Sequence, residues 1–104
     1  MTAYALFDNL SVEDEAGLDE YRSRVKAVVE SFGGRYRVVG GDWETLEGDR
    51  ALTFPVLIEF PDAGAARAWY HSDEYRPLRE LRQRSARVDA VLMSTDDPTA
   101  LLDG

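Results

Sequence analysis

The chain has 104 residues, of which 44% are hydrophobic and 31% charged, a composition that predicts one folded domain and argues against disorder or a repeat array. Its 20 acidic and 12 basic residues give a formal charge of -8, so neither nucleic acid nor an anionic membrane surface is expected as a partner. The absence of cysteine and the single histidine, His71, exclude thiolate chemistry and leave no basis for expecting a metal or cofactor.

The amino-terminal segment predicts no targeting leader. Residues 1 to 8 have no basic start and reach an aspartate before the apolar core of a signal peptide could form. No apolar run approaches the roughly 20 residues that span a bilayer. Together with the absence of cysteine, these features favour a cytoplasmic protein.

The first half of the chain predicts a strand, a helix and a second strand. Residues 3 to 10 are apolar and aromatic-rich and are typical of a strand. A helix is expected from about Asp14 to the Gly33-Gly34 pair, which can end it in a left-handed conformation. Its apolar stripe has three- and four-residue spacing and comprises Leu18, Tyr21, Val25, Val28, Val29 and Phe32. Residues 35 to 39 predict the next strand, and a further extended piece is expected through residues 43 to 46.

The second half predicts a strand, two helical segments and a last strand. Residues 52 to 60 form the clearest strand pattern, in which Pro55 marks a bulge or an unpaired side. Pro61-Asp62 opens a helix, and Ser72 can cap a following one that has Pro77 in its first turn. Residues 87 to 93 predict the last strand. We therefore expect one domain over residues 1 to 94 and a polar tail over residues 95 to 104.

This order of elements, βαββαβ, predicts an α+β ferredoxin-like sandwich with an antiparallel sheet. Right-handed crossovers put both helical layers on one face of that sheet. The strands are nevertheless apolar on both sides, because Ile58 and Phe60 alternate with Leu57, and Leu92 alternates with Val91 and Met93. A second copy laid on the uncovered face would bury the remainder, so the expected partner is the chain itself, as a homodimer.

Several motifs in this order resemble the domain of unknown function 1330 family over nearly the whole chain, from Tyr4 to about Met93. They are Gly33-Gly34-Arg35-Tyr36, Gly40-Gly41, Leu46-Glu47-Gly48, Ile58-Glu59-Phe60-Pro61 and Ala68-Trp69-Tyr70-x-Ser72-x-Glu74-Tyr75-x-Pro77-Leu78 with Arg82. The resemblance implies a dimeric α/β barrel, closed by two ferredoxin-like sheets. It transfers no catalytic residue, because that family has no generally established activity. His71 departs from the pattern, which more often has asparagine or aspartate there.

Three residues are candidates for acid and base chemistry. His71 can titrate near neutrality at a helix end, although a lone histidine there is also typical of an exposed or capping residue. Asp8 and Glu59 lie in the two strands expected at the centre of the sheet, where both carboxylates could reach one bound molecule. Alternatively, they lie near strand ends or pair with an arginine.

Four further residues are candidates for ligand binding. Tyr36 follows a glycine pair between two arginines and could recognise an anionic or aromatic ligand, or else point into the core from an edge strand. Trp69 and Tyr75 could line an aromatic pocket or pack in the core or dimer interface. Arg82, on the inner edge of a helix, requires an acidic partner or a ligand. One pocket between the sheet and the second helical layer is predicted, in which Glu59 and Arg82 compensate each other's charge. It is bordered by Tyr36, Glu59, Trp69, His71, Tyr75 and Arg82.

Two functional hypotheses follow. The chain could be a cofactor-independent enzyme that acts on a small, largely apolar organic molecule, as related barrels do. Alternatively, it could be a noncatalytic module that binds a ligand or acts through its dimer. An open pocket with a carboxylate of raised pKa would favour the enzyme, and a closed cavity filled by side chains would favour the module.

Overall fold

The fold consists of one four-stranded sheet with helices on one face. The computed structural model describes residues 2–97, 99, 101 and 102. Its elements are β1 (Ala3–Val12), α1 (Glu15–Ser31), β2 (Arg35–Val39), β3 (Pro55–Phe60), α2 (Ala63–Tyr70), α3 (Arg76–Ser85) and β4 (Ala86–Ser94). The strand order is β2-β3-β1-β4, and each neighbouring pair is antiparallel. The predicted ferredoxin-like α+β fold is confirmed.

The helix ends follow the predicted capping chemistry. Asp14 precedes α1 and accepts a hydrogen bond from the Gly17 amide, and Asp62 does the same for Ala65 at the start of α2. The Ser72 hydroxyl accepts from the Tyr75 amide at 3.0 Å just before α3. Gly33 has φ of +86°, a conformation that glycine adopts without steric cost, so α1 ends where the sequence predicted.

The connection between β2 and β3 differs from the expectation. Gly40 and Gly41 have φ of +64° and +80°, which turns the chain out of the sheet, and no strand forms at residues 43 to 46. β3 begins at Pro55 rather than at residue 52. The reason is that the Thr53 and Phe54 amides donate to the carboxylate of Asp8, so they are not available to a neighbouring strand.

The two faces of the sheet have different surroundings. The covered face packs against the helices through Ala3, Ala5, Phe7, Ile58 and Phe60, which are buried together with Leu18, Val25 and Val29 of α1. The open face carries the alternate residues, among them Tyr4, Leu6, Leu57, Glu59, Val91 and Met93. Val38, Val91 and Met93 on this face are 39%, 56% and 49% exposed.

Residues 98, 100, 103 and 104 of the predicted tail lie outside the described part of the chain, and Leu101 and Leu102 are exposed. No helix within the described residues is long and apolar enough to cross a membrane.

Candidate functional site

A cavity of about 420 Å³ lies between α1 and the covered face of the sheet. Its size falls within the range of small-molecule pockets. Strands β1, β2 and β3 form its floor, α1 forms its wall, and α3 contributes Arg82. Its apolar lining consists of Phe7, Leu18, Val25, Val39, Phe54, Val56 and Ile58. The arrangement offers an apolar volume with a few polar groups at defined positions.

Arg82 is a buried cation at the wall of this cavity. It is 5% exposed, and its guanidinium carbon lies 5.4 Å from the centre of the Phe7 ring, which lines the same cavity. Nε has no hydrogen-bond partner, and none of the ion pairs among the described residues includes Arg82. Burial lowers the pKa of Arg82, whereas nearby phenol oxygens, first that of Tyr75, raise it, and the net shift is upward. Arg82 therefore stays positively charged without a carboxylate.

Two tyrosines connect Arg82 to α1. The hydroxyls of Tyr21 and Tyr75 lie 2.8 Å apart, and either one can donate to the other. Burial raises the pKa of Tyr21, and the neighbouring Tyr75 raises it further. The Tyr21 hydroxyl is therefore neutral at physiological pH. Because one hydroxyl of the pair donates to the other, the accepting hydroxyl keeps its own hydrogen for another acceptor.

Tyr36 adds a second phenol from the edge strand. It pairs with Ile58 in the β2–β3 register, faces the helices and lines the cavity. Burial raises the pKa of Tyr36, so this hydroxyl is also a neutral hydrogen-bonding group rather than a base at physiological pH.

The mouth of the cavity carries two basic side chains, of which Arg22 also pairs with Asp19 at 3.8 Å. Arg22 and Lys26 are exposed on α1, one helical turn apart, and both line the cavity. The Arg22 guanidinium carbon lies 5.7 Å from the centre of the Phe54 ring. With Arg82, the charged residues of the lining are two arginines and a lysine, and the lining contains no aspartate or glutamate.

Trp69 and His71 border a different cavity, of about 330 Å³, between α2 and β4. Trp69 is buried against Tyr75, with ring centres 4.3 Å apart, and its Nε1 has no partner in the described chain. His71 is the exposed C-cap residue of α2, where its ring contacts that of Tyr70 edge-on at 5.3 Å. Tyr75 itself is fully buried in the core, where it links Trp69 to Tyr21.

The predicted pairing of Glu59 with Arg82 is wrong. Glu59 lies on the open face, where its carboxylate is 3.3 Å from Arg37 and 3.4 Å from the Tyr4 hydroxyl, whereas Arg82 lies on the covered side. Strand alternation is the cause, since Glu59 must point away from its neighbours Ile58 and Phe60. The structure therefore brings Tyr36 and Arg82 together and separates them from Glu59 and His71.

Asp8 is also outside the cavity. β1 and β3 are the central strands as expected, but Asp8 pairs with Pro55 and Glu59 with Tyr4. The positions of the two carboxylates are therefore four residue steps apart along β1, or about 13 Å. Both carboxylate oxygens of Asp8 accept hydrogen bonds from the Thr53 and Phe54 amides at 2.9 to 3.2 Å. Asp8 and Glu59 are thus occupied by protein groups on the open face.

Sequence reasoning missed Tyr21, Arg22 and Lys26. Tyr21 was assigned to the core stripe of the first helix, yet it is the one residue of that stripe with a hydroxyl that requires a partner. Arg22 and Lys26 flank the stripe four residues apart, a spacing that places two cations together beside the apolar face. These two signals were present in the sequence.

The comparisons with known proteins agree with the fold. The family model described as a domain of unknown function (DUF1330) matches residues 2–95. No curated protein matches the sequence. A protein of unknown function from Rhodopseudomonas palustris, RPA0582, is 16% identical with a TM-score of 0.69, covering 93% of this chain and 84% of that one.

Two further solved structures are similar. A dimeric ferredoxin-like protein of unknown function from Jannaschia sp. CCS1 is 15% identical with a TM-score of 0.63, covering 91% of this chain and 100% of that one. SnoaB, a cofactor-independent oxygenase from Streptomyces nogalater, is 15% identical with a TM-score of 0.60, covering 95% of each chain. At these identities the likeness establishes the fold.

Proposed function

We propose that this chain, which belongs to the family described as a domain of unknown function (DUF1330), binds a small organic molecule in the cavity between α1 and the covered face. One observation carries the proposal: an apolar cavity of about 420 Å³ borders a buried arginine whose Nε has no acceptor in the described chain. Buried charges in folded proteins are nearly always paired, and since Arg82 lines the cavity, a ligand there could balance the charge that no ion pair of the described residues meets.

Chemistry in this cavity would depend on electrostatics rather than on a protein base. The phenols of Tyr21 and Tyr36 have raised pKa values and stay neutral, while the carboxylates of Asp8 and Glu59 lie on the open face. A buried cation in an apolar surrounding stabilises negative charge that develops on a substrate oxygen. By analogy with the cofactor-independent oxygenase from Streptomyces nogalater, we propose cofactor-independent chemistry on a substrate that supplies its own ionisable group.

Noncatalytic binding is the second candidate. It is favoured by the lack of an acidic side chain or histidine in the cavity lining. Without such a group, a substrate that does not ionise by itself would be held and released unchanged. Recovery of a bound ligand after prolonged incubation in air distinguishes the two candidates, because an enzyme would return it altered.

The functional unit that we propose is a homodimer formed through the open face. The exposed side chains of Val38, Val91 and Met93 give this face an apolar surface, and the charges of Glu59 and Arg37 already neutralise each other. A second copy would remove this surface from water, which is favourable in proportion to the apolar area. The Jannaschia protein is described as dimeric, which supports a dimer.

Binding of a small-molecule library tests the ligand proposal, with Val39→Trp as the blocking variant. Val39 lines the cavity and is 62% exposed, so a larger side chain can narrow the mouth without overpacking the core. Val12→Trp is the matched control, since Val12 is exposed on β1 and does not line the cavity.

We expect library members that raise the melting temperature of the parent protein to bind Val39→Trp at least about 10-fold more weakly, a loss of about 1.4 kcal/mol. They should bind Val12→Trp as they bind the parent. A library without binders, or binders whose affinity is the same for Val39→Trp as for the parent, would contradict a ligand site in this cavity.

A further inference from the structure

The charge of the cavity is opposite to that of the chain. The protein has 20 acidic and 12 basic residues, yet the charged residues of the lining are Arg22, Lys26 and Arg82, without an aspartate or glutamate. A concave, apolar site concentrates the field of such side chains and raises the local concentration of the opposite charge. In an acidic protein this local excess of positive charge favours the binding of anions over that of neutral molecules.

Arg82 supplies a second, independent indication. Its side chain has lost nearly all contact with water, and the described chain provides neither a carboxylate nor an acceptor for Nε. Its contacts are the Phe7 ring and the phenol of Tyr75. A buried cation is normally paired, because desolvation without an opposite charge is strongly unfavourable. Tyr75 already gives the guanidinium a neutral hydrogen-bond partner, so what the described residues leave unbalanced is its charge, which an anion would neutralise.

The polar groups around Arg82 reinforce this choice, since they donate. A guanidinium donates and never accepts, and the Tyr21–Tyr75 pair has one hydrogen left to donate. Tyr36 adds a neutral hydroxyl to the same lining. A deprotonated oxygen group accepts from all of these donors and balances the charge of Arg82, whereas a neutral amide or alcohol leaves that charge unbalanced.

We infer that the ligand is a small organic anion, with an oxyanion head at Arg82 and an apolar body along Phe7, Val25 and Val56. This inference rests on the proposed function and specifies its ligand class. A carboxylate or a phenolate provides the head, because both present an acceptor oxygen with negative charge. Arg22 and Lys26 at the mouth attract such an ion on its way in.

Matched ligand pairs test the inference on the unmodified protein. The probes are benzoate, naphthoate and octanoate against their primary amides, and a nitrophenolate against its methyl ether. Each pair keeps the apolar body and changes the charge of the head, and the two sets distinguish a carboxylate from a phenolate. We expect the anions to bind at least about 10-fold more tightly than their neutral partners in titration calorimetry.

Arg82→Met is the deciding variant, and Arg84→Met is its matched control on the exposed side of α3. Methionine keeps the apolar length of the side chain, and replacement of a buried charge by an apolar group is often neutral for stability. The variant should lose the preference for anions and bind neutral partners as before, while the control keeps it. Arg82→Gln, which also removes the charge, provides the same comparison if the methionine variant does not fold.

The outcomes separate the inference from the proposed function. Neutral partners that bind as tightly as the anions, or anions that bind Arg82→Met undiminished, overturn the inference and leave the ligand site intact. If neither these probes nor any member of the library binds, the proposed function fails and the inference fails with it. Lys26→Gln should change only the approach of the ligand, with an association rate lowered about 2-fold to 3-fold and less sensitive to salt.

Discussion

The polar groups on the two sides of the sheet differ in whether they have hydrogen-bond partners. On the open face, Glu59 is paired with Arg37 and Tyr4, and Asp8 accepts from two backbone amides. On the covered side, Arg82 Nε and Trp69 Nε1 are buried donors without partners in the described chain. The open face therefore leaves apolar side chains uncovered, whereas the covered side leaves two buried donors without acceptors. We propose that a second copy of the chain covers these apolar side chains and that a ligand balances the charge of Arg82, whereas Trp69 borders a different cavity.

This difference arises from alternation in the same strands. Ile58 and Phe60 of β3 point to the helices, and Leu57 and Glu59 point away from them. Because α1, α2 and α3 pack on one side of the sheet, consecutive residues of a strand lie alternately in the closed core and on the solvent-facing surface. Substitutions chosen by face should consequently separate assembly from ligand binding.

The largest effect is expected for Val91→Asp, on the edge strand β4, because Val91 is more exposed than Val38 and Met93 of the same face. A dimer would bury this carboxylate once from each copy, so its dissociation constant should rise more than about 100-fold, or about 3 kcal/mol. Ala27→Asp, an exposed position on α1, is the control and should leave the dimer unchanged. Sedimentation over a range of concentrations measures both.

The ligand affinity of the Val91→Asp variant is a second test of the difference between the two faces, since the proposed cavity lies within one copy of the chain. The variant should bind as the parent does. A parent protein that is monomeric at micromolar concentration would contradict the assignment of the open face as an interface.

The phenols of the cavity predict a loss of stability at alkaline pH. Burial raises the pKa of Tyr21 and Tyr36 above the ordinary value of 10.0, so above pH 10 the unfolded chain releases protons that the folded chain keeps. The unfolded state then binds fewer protons, and the free energy of unfolding falls as pH rises, by up to about 1.4 kcal/mol per pH unit for each phenol. Below pH 10 these two groups contribute no slope.

Denaturant unfolding at several pH values, with phenolate absorbance recorded in parallel, measures this slope. Tyr21→Phe and Tyr36→Phe should each make it less steep, since each removes one of the two phenols. A slope that is unchanged in both variants would place the alkaline instability elsewhere in the chain.

Asp8→Ala should destabilise the protein by about 1–3 kcal/mol. The buried carboxylate accepts hydrogen bonds from the amides of Thr53 and Phe54, the two residues directly before β3. Asp89→Ala is a closely matched control. Asp89 lies directly opposite Asp8 in the β1–β4 register, so either substitution removes one charge and the same repulsion. Asp89 is exposed, and its substitution should change the free energy of unfolding by no more than about 0.5 kcal/mol.

Local patterns in the sequence were sufficient to predict the elements and the two apolar faces. The stripe from Leu18 to Phe32 and the alternation in β3 depend on neighbours a few residues away, and both were found. The start of β3 was not found, since it depends on the capture of two amides by Asp8, 45 residues earlier in the chain. Contacts of this kind are set by strand register rather than by local preference.

The same limit applies to the candidate site. Arg82 and Tyr36 could be recognised from residue type and element, and the structure brings both to one cavity. The partner chosen for Arg82 was wrong, because alternation in β3 places Glu59 on the face opposite to Ile58 and Phe60. The actual contacts could not be predicted, because the pairing of Tyr21 with Tyr75 spans 54 residues and the β2 register that joins Arg37 to Glu59 contains a bulge. Neither contact leaves a spacing signal in the chain.

The smallest effect is expected for Glu59→Gln, although the sequence made this residue a catalytic candidate. Its ion pair with Arg37 is partly exposed, with side-chain exposures of 30% and 47%, and pairs of this kind contribute about 0–1 kcal/mol. The glutamine keeps an oxygen that can accept from Tyr4, so stability should fall by less than about 1 kcal/mol. Ligand affinity should not change, because the side chain points away from the cavity that holds Arg82. Arg37→Gln removes the other partner of the same pair and should have the same small effect on both measurements. If Glu59→Gln abolished ligand binding or turnover while Arg37→Gln did not, the ligand would have to reach the open face, and the division of roles between the two faces would be wrong.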